Sequence, residues 1–247
     1  MSTAACCPTD RTAAAASHES SARGKMEKLN SMDCYVVGSG SHTVVLVYDI
    51  FGFHSNNYEL ADSISQSLGW VVVIPDLFRG SPWPAVNFPP RGQDQASMFS
   101  RFLNSQADCG QRALDVKAVI DHYRSGVRQT FSIIAFCWGC KVAALVNDYP
   151  GVKSICGAHP SFLTASDGFA VNVPTLWLPT ADDDISDYIN GFTSARRDKF
   201  VTVSSDFSDL FHGFMAARGD WMNDKIRERV SYATKAFVDF IKNSLDF

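Results

Sequence analysis

Two short segments of the chain are apolar or aromatic at every position, at residues 44–48 (VVLVY) and 70–74 (WVVVI). Unbroken apolar runs of this length predict strands buried on both faces, because a strand with one solvated face alternates apolar and polar residues. Between them, residues 56–68 carry apolar side chains at helical spacing. The order strand, helix, strand predicts a parallel sheet with helical crossovers.

The same alternation continues toward the end of the chain. Further strands are predicted at residues 131–135, 152–156, 174–178 and 200–203, and further helices at residues 107–123, 140–149, 183–194 and 221–245. Residues 80–92 contain four prolines, which predicts a loop. We therefore predict an α/β fold, with a mainly parallel central sheet and helices on both faces. In such folds the active site lies beyond the carboxyl ends of the strands.

The composition predicts one domain after a flexible N-terminal arm. Residues 1–30 are mostly small and polar and form the predicted arm, whereas residues 31–247 are enough for a single domain with a large core. The net charge of −4 and the absence of a concentrated basic stretch argue against nucleic acid as a partner. The sequence also shows no basic amphipathic stretch and no membrane-spanning apolar run, so no membrane partner is expected.

The cysteines indicate the compartment. Their number is odd, at seven, and the N-terminus lacks the pattern of a secretory signal, which favours free thiols in the reducing cytoplasm. Residues 11–25 are rich in Ala, Ser and Arg, so an organelle transit peptide is the alternative. Cys137 and Cys140 have the spacing of half a zinc site, but no second pair stands nearby, so no metal is predicted. A redox function for this pair remains a second interpretation.

Three polar signals fall after three of the predicted strands. They are Cys137, the aspartate run at residues 182–184, and His212. Their order along the chain, nucleophile then acid then base, is that of α/β-hydrolases and differs from the order in other folds that carry a catalytic triad.

Cys137 has the surroundings of a nucleophile at a strand-to-helix turn. Such a turn needs small residues two positions away on each side, and these are Ala135 and Gly139. The helix that follows directs its N-terminus at Cys137, which favours a thiolate. The alternative is a buried structural cysteine.

His212 is the predicted base, and one of the aspartates is its predicted partner. His212 would take the proton of Cys137 and later activate water, unless it is a surface-loop histidine. Asp182 is the predicted acid because it lies closest to the strand end, and Asp183, which is also placed to cap the next helix, is the reserve. The alternative is that the whole run is a helix cap and a solvated acidic patch.

The segment after the first apolar run supplies the predicted oxyanion hole. The backbone N–H groups of Ile50 and Trp138 are the expected donors, one from this early loop and one following the nucleophile. Asp49 either bonds the thiol of Cys137 and holds it neutral or caps its own turn. Trp83 lies in the loop at residues 81–91, which we expect to form part of the wall of a substrate pocket.

These segments resemble the dienelactone hydrolases (carboxymethylenebutenolidase-like proteins), specifically a eukaryotic branch of this α/β-hydrolase family. The similarity is carried by residues 48–53 (YDIFGF), 74–80 (IPDLFRG), 136–139 (FCWG) and 212–214 (HGF), with Arg218-Gly219 after them. The resemblance implies a Cys-Asp-His triad at Cys137, Asp182 and His212. It also implies hydrolysis of a small ester or lactone through an acyl-cysteine, without a cofactor or a metal.

The sequence departs from the family pattern at several positions. Asp49 replaces the glutamate common in bacterial members, Ala135 replaces a glycine, and Cys140 replaces another, which allows a disulfide with Cys137. Arg79 and Arg218 are approximate counterparts of the arginines that bind a substrate carboxylate.

Two other functions remain open at this stage. One is a non-catalytic or redox-sensing relative that uses Cys137 and Cys140. The other, ranked lower, is a glucan-directed glycosidase, which needs two facing carboxylates such as Asp49 and Asp182.

Overall fold

The fold is built around one eight-stranded sheet. The structure is a computed structural model and describes residues 22–124 and 130–245. The strands are β1 (Lys25–Leu29), β2 (Met32–Val37), β3 (His42–Val47), β4 (Val71–Pro75), β5 (Thr130–Phe136), β6 (Val152–Ala158), β7 (Thr175–Leu178) and β8 (Val201–Val203). Their order in the sheet is β1-β2-β4-β3-β5-β6-β7-β8. The strands from β4 to β8 in this order pair in parallel, and β1 and β2 pair antiparallel at one edge, so the mainly parallel sheet is confirmed.

The helices cover both faces of this sheet. They are α1 (Ser55–Leu68), α2 (Gly92–Asn104), α3 (Cys109–Arg124), α4 (Trp138–Ala144), α5 (Ala165–Ala170), α6 (Ser186–Ser194) and α7 (Asp224–Leu245). β4 lies on one side of β3 and β5 on the other, so right-handed crossovers put α1 and α3 on opposite faces. α7 packs against α1, and α4 packs against α3. None of the helices in the described residues combines the length and hydropathy that a transmembrane span requires.

The apolar runs of the sequence form the centre of the sheet. Every residue of β3 and β4 is buried, as predicted for the apolar runs that form residues 44–47 of β3 and 71–74 of β4. Burial of apolar surface on both faces stabilises the folded state by about 25 cal/mol for each Å² removed from water. This central part of the sheet therefore provides a rigid support for the loops at its carboxyl edge.

The boundary between arm and domain at residue 30 needs correction. β1 lies inside the predicted arm and pairs with β2. The connecting residues Asn30 and Ser31 both have positive φ, of 49° and 67°, as a tight hairpin turn requires. Four of the five β1 residues are exposed, so the strand lacks the apolar pattern by which the others were recognised. The rest of the arm, residues 1–21, and with it the proposed transit peptide to residue 21, lies outside the described residues.

Several helix boundaries also differ from prediction. Helices α2 and α5 were not predicted, and α4 starts at Trp138 and ends five residues before the predicted end. α6 begins at Ser186, where Asp184 accepts a hydrogen bond from the Ser186 N–H. Asp183 is therefore not the cap of this helix, and its side chain is available for another contact.

Candidate active site

Cys137 occupies a strained turn between β5 and α4. Its φ of +52° and ψ of −120° are rare for a residue with a side chain. The neighbouring glycine is sterically required, because a Cβ at Gly139 would lie 2.5 Å from the carbonyl oxygen of Val47. Ala135 is fully buried on the other side. The chain thus forms the turn that these small residues predicted, with Cys137 at its apex and 2% exposed.

The histidine ring is paired with Asp183. Nδ1 of His212 lies 2.5 Å from Oδ1 of Asp183, and both side chains are buried. The other oxygen of Asp183 accepts hydrogen bonds from the backbone N–H and the hydroxyl of Thr180, each at 2.7 Å. A carboxylate held in this way fixes the tautomer and the orientation of the imidazole.

The prediction that Asp182 is the partner of the ring is wrong. Its carboxylate accepts a hydrogen bond from the backbone N–H of His212, at 3.1 Å. The reason is a tight turn after β7, in which the N–H of Asp183 donates to the carbonyl of Thr180 and directs the Asp183 side chain inward. The two adjacent aspartates thus bind different parts of His212: Asp182 binds its backbone N–H, and Asp183 binds its ring.

Asp49 is completely buried and connects two loops. Its oxygens accept hydrogen bonds from the N–H groups of Phe51, at 2.9 Å, and Ala217, at 3.2 Å. Burial, and next the nearby Cys137, raise the pKa of this carboxyl group from 3.8 to about 7. Among the described residues, Asp49 makes no hydrogen bond to the thiol of Cys137, which was one of its two predicted contacts. Its two backbone contacts instead join the early loop to the histidine loop.

The two predicted oxyanion donors lie in the expected backbone positions. Ile50 follows Asp49 in the early loop, and Trp138 is the first residue of α4. In the described part of the chain, neither N–H donates to a loop carbonyl or a side chain. Trp138 is further fixed by its indole, which donates to the carbonyl of Ala107 at 2.9 Å. Both N–H groups are therefore available for a ligand oxygen.

The three predicted substrate-binding residues have different surroundings. Arg79 is partly exposed and pairs with Asp115 at 2.8 Å, and neither its ion pair nor its hydrogen bonds reach the group around Cys137. Trp83 is buried in the core, and its backbone N–H donates to the carbonyl of Ile50, so it supports the loop that carries the predicted oxyanion donor. Arg218 belongs to the site, because its guanidinium donates to the carbonyl of His212 at 2.7 Å.

Arg218 and an asparagine organise the loop that carries the histidine. The guanidinium of Arg218 lies over the rings of Phe88 and Phe211, with 5.6 Å and 6.0 Å from its carbon to the ring centres. Asn56, which no sequence signal indicated, donates from its buried amide to the carbonyls of Ala216 and Gly219. This loop is therefore held by side chains from distant parts of the chain rather than by regular structure.

Two further residues of the site follow β6. His159 is completely buried, and its ring lies edge-to-face against that of His212, with 4.9 Å between the ring centres. Burial, and next the charge of His212, lower its pKa well below 6.5, so His159 is neutral. Ser161 places its hydroxyl 3.7 Å from the sulfur of Cys137. No sequence signal identified Ser161.

The surroundings of Cys140 do not favour a redox function. Its thiol lies 3.3 Å from the carbonyl oxygen of Ala135 and donates to it, and burial raises its pKa well above 9.0. The cysteines of the described residues are all free thiols. Within the same residues, no cluster of three or more His, Cys, Asp or Glu side chains has the placement of a metal site.

Sequence relatives of the chain include hydrolases. An uncharacterised AIM2 family protein of Schizosaccharomyces pombe is 33% identical over 73% of this chain and 74% of its own length. The carboxymethylenebutenolidase homolog of Rattus norvegicus is 27% identical over 66% of this chain and 65% of its own. An endo-1,3;1,4-beta-D-glucanase of Zea mays is 27% identical over 60% of this chain, and the alignment spans 46% of that protein.

Solved structures share the fold at low sequence identity. TT1662 of Thermus thermophilus matches with a TM-score of 0.64 at 12% identity, covering 91% of this chain and 98% of that one. The dienelactone hydrolase of Anabaena variabilis matches with a TM-score of 0.54, also at 12% identity, over 90% and 99% of the two chains. The sequence model of the dienelactone hydrolase family covers residues 32–245, from β2 to the end of α7. Because that match includes the strained cysteine turn and the paired histidine loop, the α/β-hydrolase fold seen here is that of its family, and the chain belongs to the dienelactone hydrolases.

Proposed function

We propose that the protein hydrolyses a small carboxylic ester or lactone, with Cys137 as nucleophile, His212 as base and Asp183 as the acid that orients the base. The single observation that carries this proposal is the buried His212–Asp183 pair at the carboxyl edge of the sheet, where Cys137 forms the apex of a strained turn. Cys137 and His212 both lie close enough to Asp49 and to His159 to influence the pKa of each. The two reacting groups therefore share one buried site.

The chemistry follows from the roles of these groups. His212 takes the proton of the Cys137 thiol, and the sulfur forms a bond to the carbonyl carbon of the substrate. The carbonyl oxygen becomes an oxyanion that accepts hydrogen bonds from the N–H groups of Ile50 and Trp138. When the ester bond breaks, His212 gives its proton to the departing alkoxide, which in a lactone stays attached to the acyl group.

A water molecule completes the cycle. His212 removes a proton from water, and the resulting hydroxide attacks the acyl-cysteine carbonyl. The thioester bond then breaks, the carboxylic acid leaves, and the sulfur recovers its proton from His212. During both halves, Asp183 stabilises the imidazolium that forms on His212.

We also propose that Arg218 contacts the substrate. Its guanidinium is buried and lies against two aromatic rings, so a substrate with an anionic or strongly polar group beside an apolar part would fit. The exposed Arg79 has a structural partner, and the buried Trp83 supports the oxyanion loop.

We also propose a reducing, cytoplasmic location for the protein. The free thiols of the described cysteines support this location, and cell fractionation would test it.

A panel of activated esters, lactones and thioesters tests the proposed hydrolysis. Cys137→Ala should reduce kcat/KM by at least about 10³-fold, because the covalent route is lost. Cys140→Ala, three residues away in the same buried segment, is the matched control and should retain activity. Hydrolysis that survives unchanged in Cys137→Ala would exclude the cysteine mechanism.

Two alternatives predict different outcomes in the same experiments. A redox-sensing relative would show no hydrolysis and a reversible Cys137–Cys140 disulfide after mild peroxide, but the Cys140 thiol is buried and protonated. A glucanase, favoured by the maize relative, would release reducing sugar from a β-glucan in Cys137→Ala. Its two candidate carboxylates, Asp49 and Asp182, both bind backbone N–H groups, which leaves less capacity for acid–base work.

A further inference from the structure

The segment after β6 contains two strained residues in close succession. His159 has a φ of +40° and Phe162 a φ of +60°, the left-handed region that residues with side chains rarely adopt. This backbone conformation is energetically unfavourable for a residue with a side chain, and such strained residues are concentrated at functional sites. The two outliers enclose Pro160 and Ser161, so the strained backbone determines where these residues lie.

The strained segment brings Ser161 against the nucleophile by two contacts. Its backbone N–H donates to the carbonyl of Cys137, at 3.1 Å. Its hydroxyl oxygen lies 3.7 Å from the sulfur of Cys137, within hydrogen-bond reach of a sulfur atom, and the side chain is 4% exposed. The start of the segment is fixed by the N–H of His159, which donates to the carbonyl of Leu178 at 3.0 Å.

We propose that Ser161 is a further catalytic residue, whose hydroxyl donates a hydrogen bond to the thiolate of Cys137 and thereby increases the fraction of reactive sulfur. The inference rests on the proposed cysteine mechanism. In the resting state the thiol and the hydroxyl share one hydrogen bond, and either can be the donor. When His212 takes the thiol proton, the hydroxyl becomes the donor, and a hydrogen bond to an anion is stronger than one to a neutral acceptor.

The other groups near the sulfur do not replace this donor. Asp49 is an acid whose negative charge opposes a thiolate, and Cys140 donates to a backbone carbonyl. His159 is neutral and carries no positive charge toward the sulfur. His212 holds the transferred proton, and the uncharged hydroxyl of Ser161 donates a second hydrogen bond to the sulfur.

The test is the rate at which iodoacetamide alkylates Cys137, followed on its own peptide by mass spectrometry across neutral pH. Ser161→Ala should slow alkylation at pH 7 about tenfold, because one charge-assisted hydrogen bond is lost, and should move the pH midpoint of the reaction upward by about one unit. The matched control is Ser154→Ala, which removes a buried hydroxyl from the other end of β6, where it bonds Ser132. This control should leave the alkylation profile unchanged.

The opposite results would overturn the proposal. Unchanged alkylation in Ser161→Ala would show that the hydroxyl does not act on the sulfur, and faster alkylation would show that it stabilises the neutral thiol. Ser161→Thr and Ser161→Val form a second pair of nearly equal shape, and the hydroxyl-bearing Thr variant should react faster than Val even if the added methyl disturbs packing. Equal rates in this pair would also overturn the proposal.

Alkylation separates this inference from the proposed function. It reports on the sulfur itself and needs no turnover, so it can succeed on a protein that hydrolyses no ester in the panel. If the panel shows hydrolysis that survives in Cys137→Ala while alkylation responds to Ser161, the proposed function fails and the contact stands. If Cys137 is essential for hydrolysis but its alkylation rate is the same in Ser161→Ala, the proposed function stands and the proposed role of Ser161 fails.

Discussion

Two buried histidines lie at opposite ends of the same sheet, and they have different partners. At the amino end, the ring nitrogens of His42 lie 2.6 Å and 3.0 Å from the hydroxyls of Thr130 and Ser132. At the carboxyl end, His212 is paired with the carboxylate of Asp183. Both rings are almost completely buried. The two histidines differ in the charge of their partners and in the end of the sheet at which they lie.

The amino-end cluster resembles a catalytic serine–histidine pair only in its residue types. Ser132 also bonds the hydroxyl of Ser154, at 2.8 Å, so the hydroxyls form a closed network between neighbouring strands. No carboxylate among the described residues pairs with the ring, and burial lowers the pKa of His42 from 6.5 to about 4. An imidazole in this setting remains neutral and cannot stabilise the charge that a base acquires. The candidate site is therefore distinguished by an anionic partner at a carboxyl strand end, and a hydroxyl–histidine contact alone does not indicate a site.

The largest expected effect concerns the two adjacent aspartates. Asp183→Asn should lower kcat/KM by about 10³–10⁴-fold, because the amide cannot stabilise the imidazolium of His212 and can favour the wrong tautomer. Asp182→Asn is the matched control, since its amide oxygen can still accept the backbone N–H of His212. Steady-state kinetics on an activated ester compare the two. Equal losses would mean that the ring pairing with Asp183 has no part in catalysis.

Asp183 also shows where sequence analysis reaches its limit. The strands were predictable because burial on both faces leaves an unbroken apolar run, as in β3 and β4. Cys137 and His212 were predictable because Gly139 and the strand ends limit where they can lie. The choice among three adjacent aspartates depends on the turn at Thr180, and the sequence does not determine that turn.

The residues that sequence analysis missed share a physical property. Ser161 and Asn56 each make two contacts with a segment that is distant along the chain, and such contacts leave no periodic pattern. β1 was missed because its residues are mostly exposed. Arg79 was assigned to the substrate by resemblance, whereas its conformation directs it to Asp115. The local sequence predicts elements and strand-end chemistry, and the packed structure decides which side chains meet.

A second prediction concerns the pH dependence of stability at the amino end. Because the folded state lowers the pKa of His42 to about 4, the unfolded state binds more protons between about pH 6.5 and pH 4. The stability that neutral His42 contributes is therefore present above pH 6.5 and is lost as the pH falls through this window. Between pH 7 and pH 5 the loss should be about 2 kcal/mol.

Urea unfolding of the wild type and of His42→Gln at both pH values measures this contribution. The variant lacks the titrating group, so its stability should fall less on acidification, and the difference between the two proteins isolates His42 from Asp49, whose raised pKa acts in the opposite direction. Parallel pH dependence in the two proteins would show that His42 does not titrate in this range. The wild-type and variant kcat/KM at pH 7 should agree, because His42 lies at the end of the sheet away from Cys137.

The smallest expected effect separates stability from activity at a single hydroxyl. Ser132→Ala removes the group that links His42 to Ser154, and loss of a buried hydrogen-bond partner should lower the free energy of unfolding by about 1–2 kcal/mol. Because the network touches none of the groups around Cys137, kcat/KM per folded molecule should not change. The exposed Ser208→Ala is the control for serine removal and should alter stability by less than about 0.5 kcal/mol. A fall in kcat/KM for Ser132→Ala that matches the fall for Asp183→Asn would mean that the two ends of the sheet are coupled, and the distinction between a structural and a catalytic histidine would have to be abandoned.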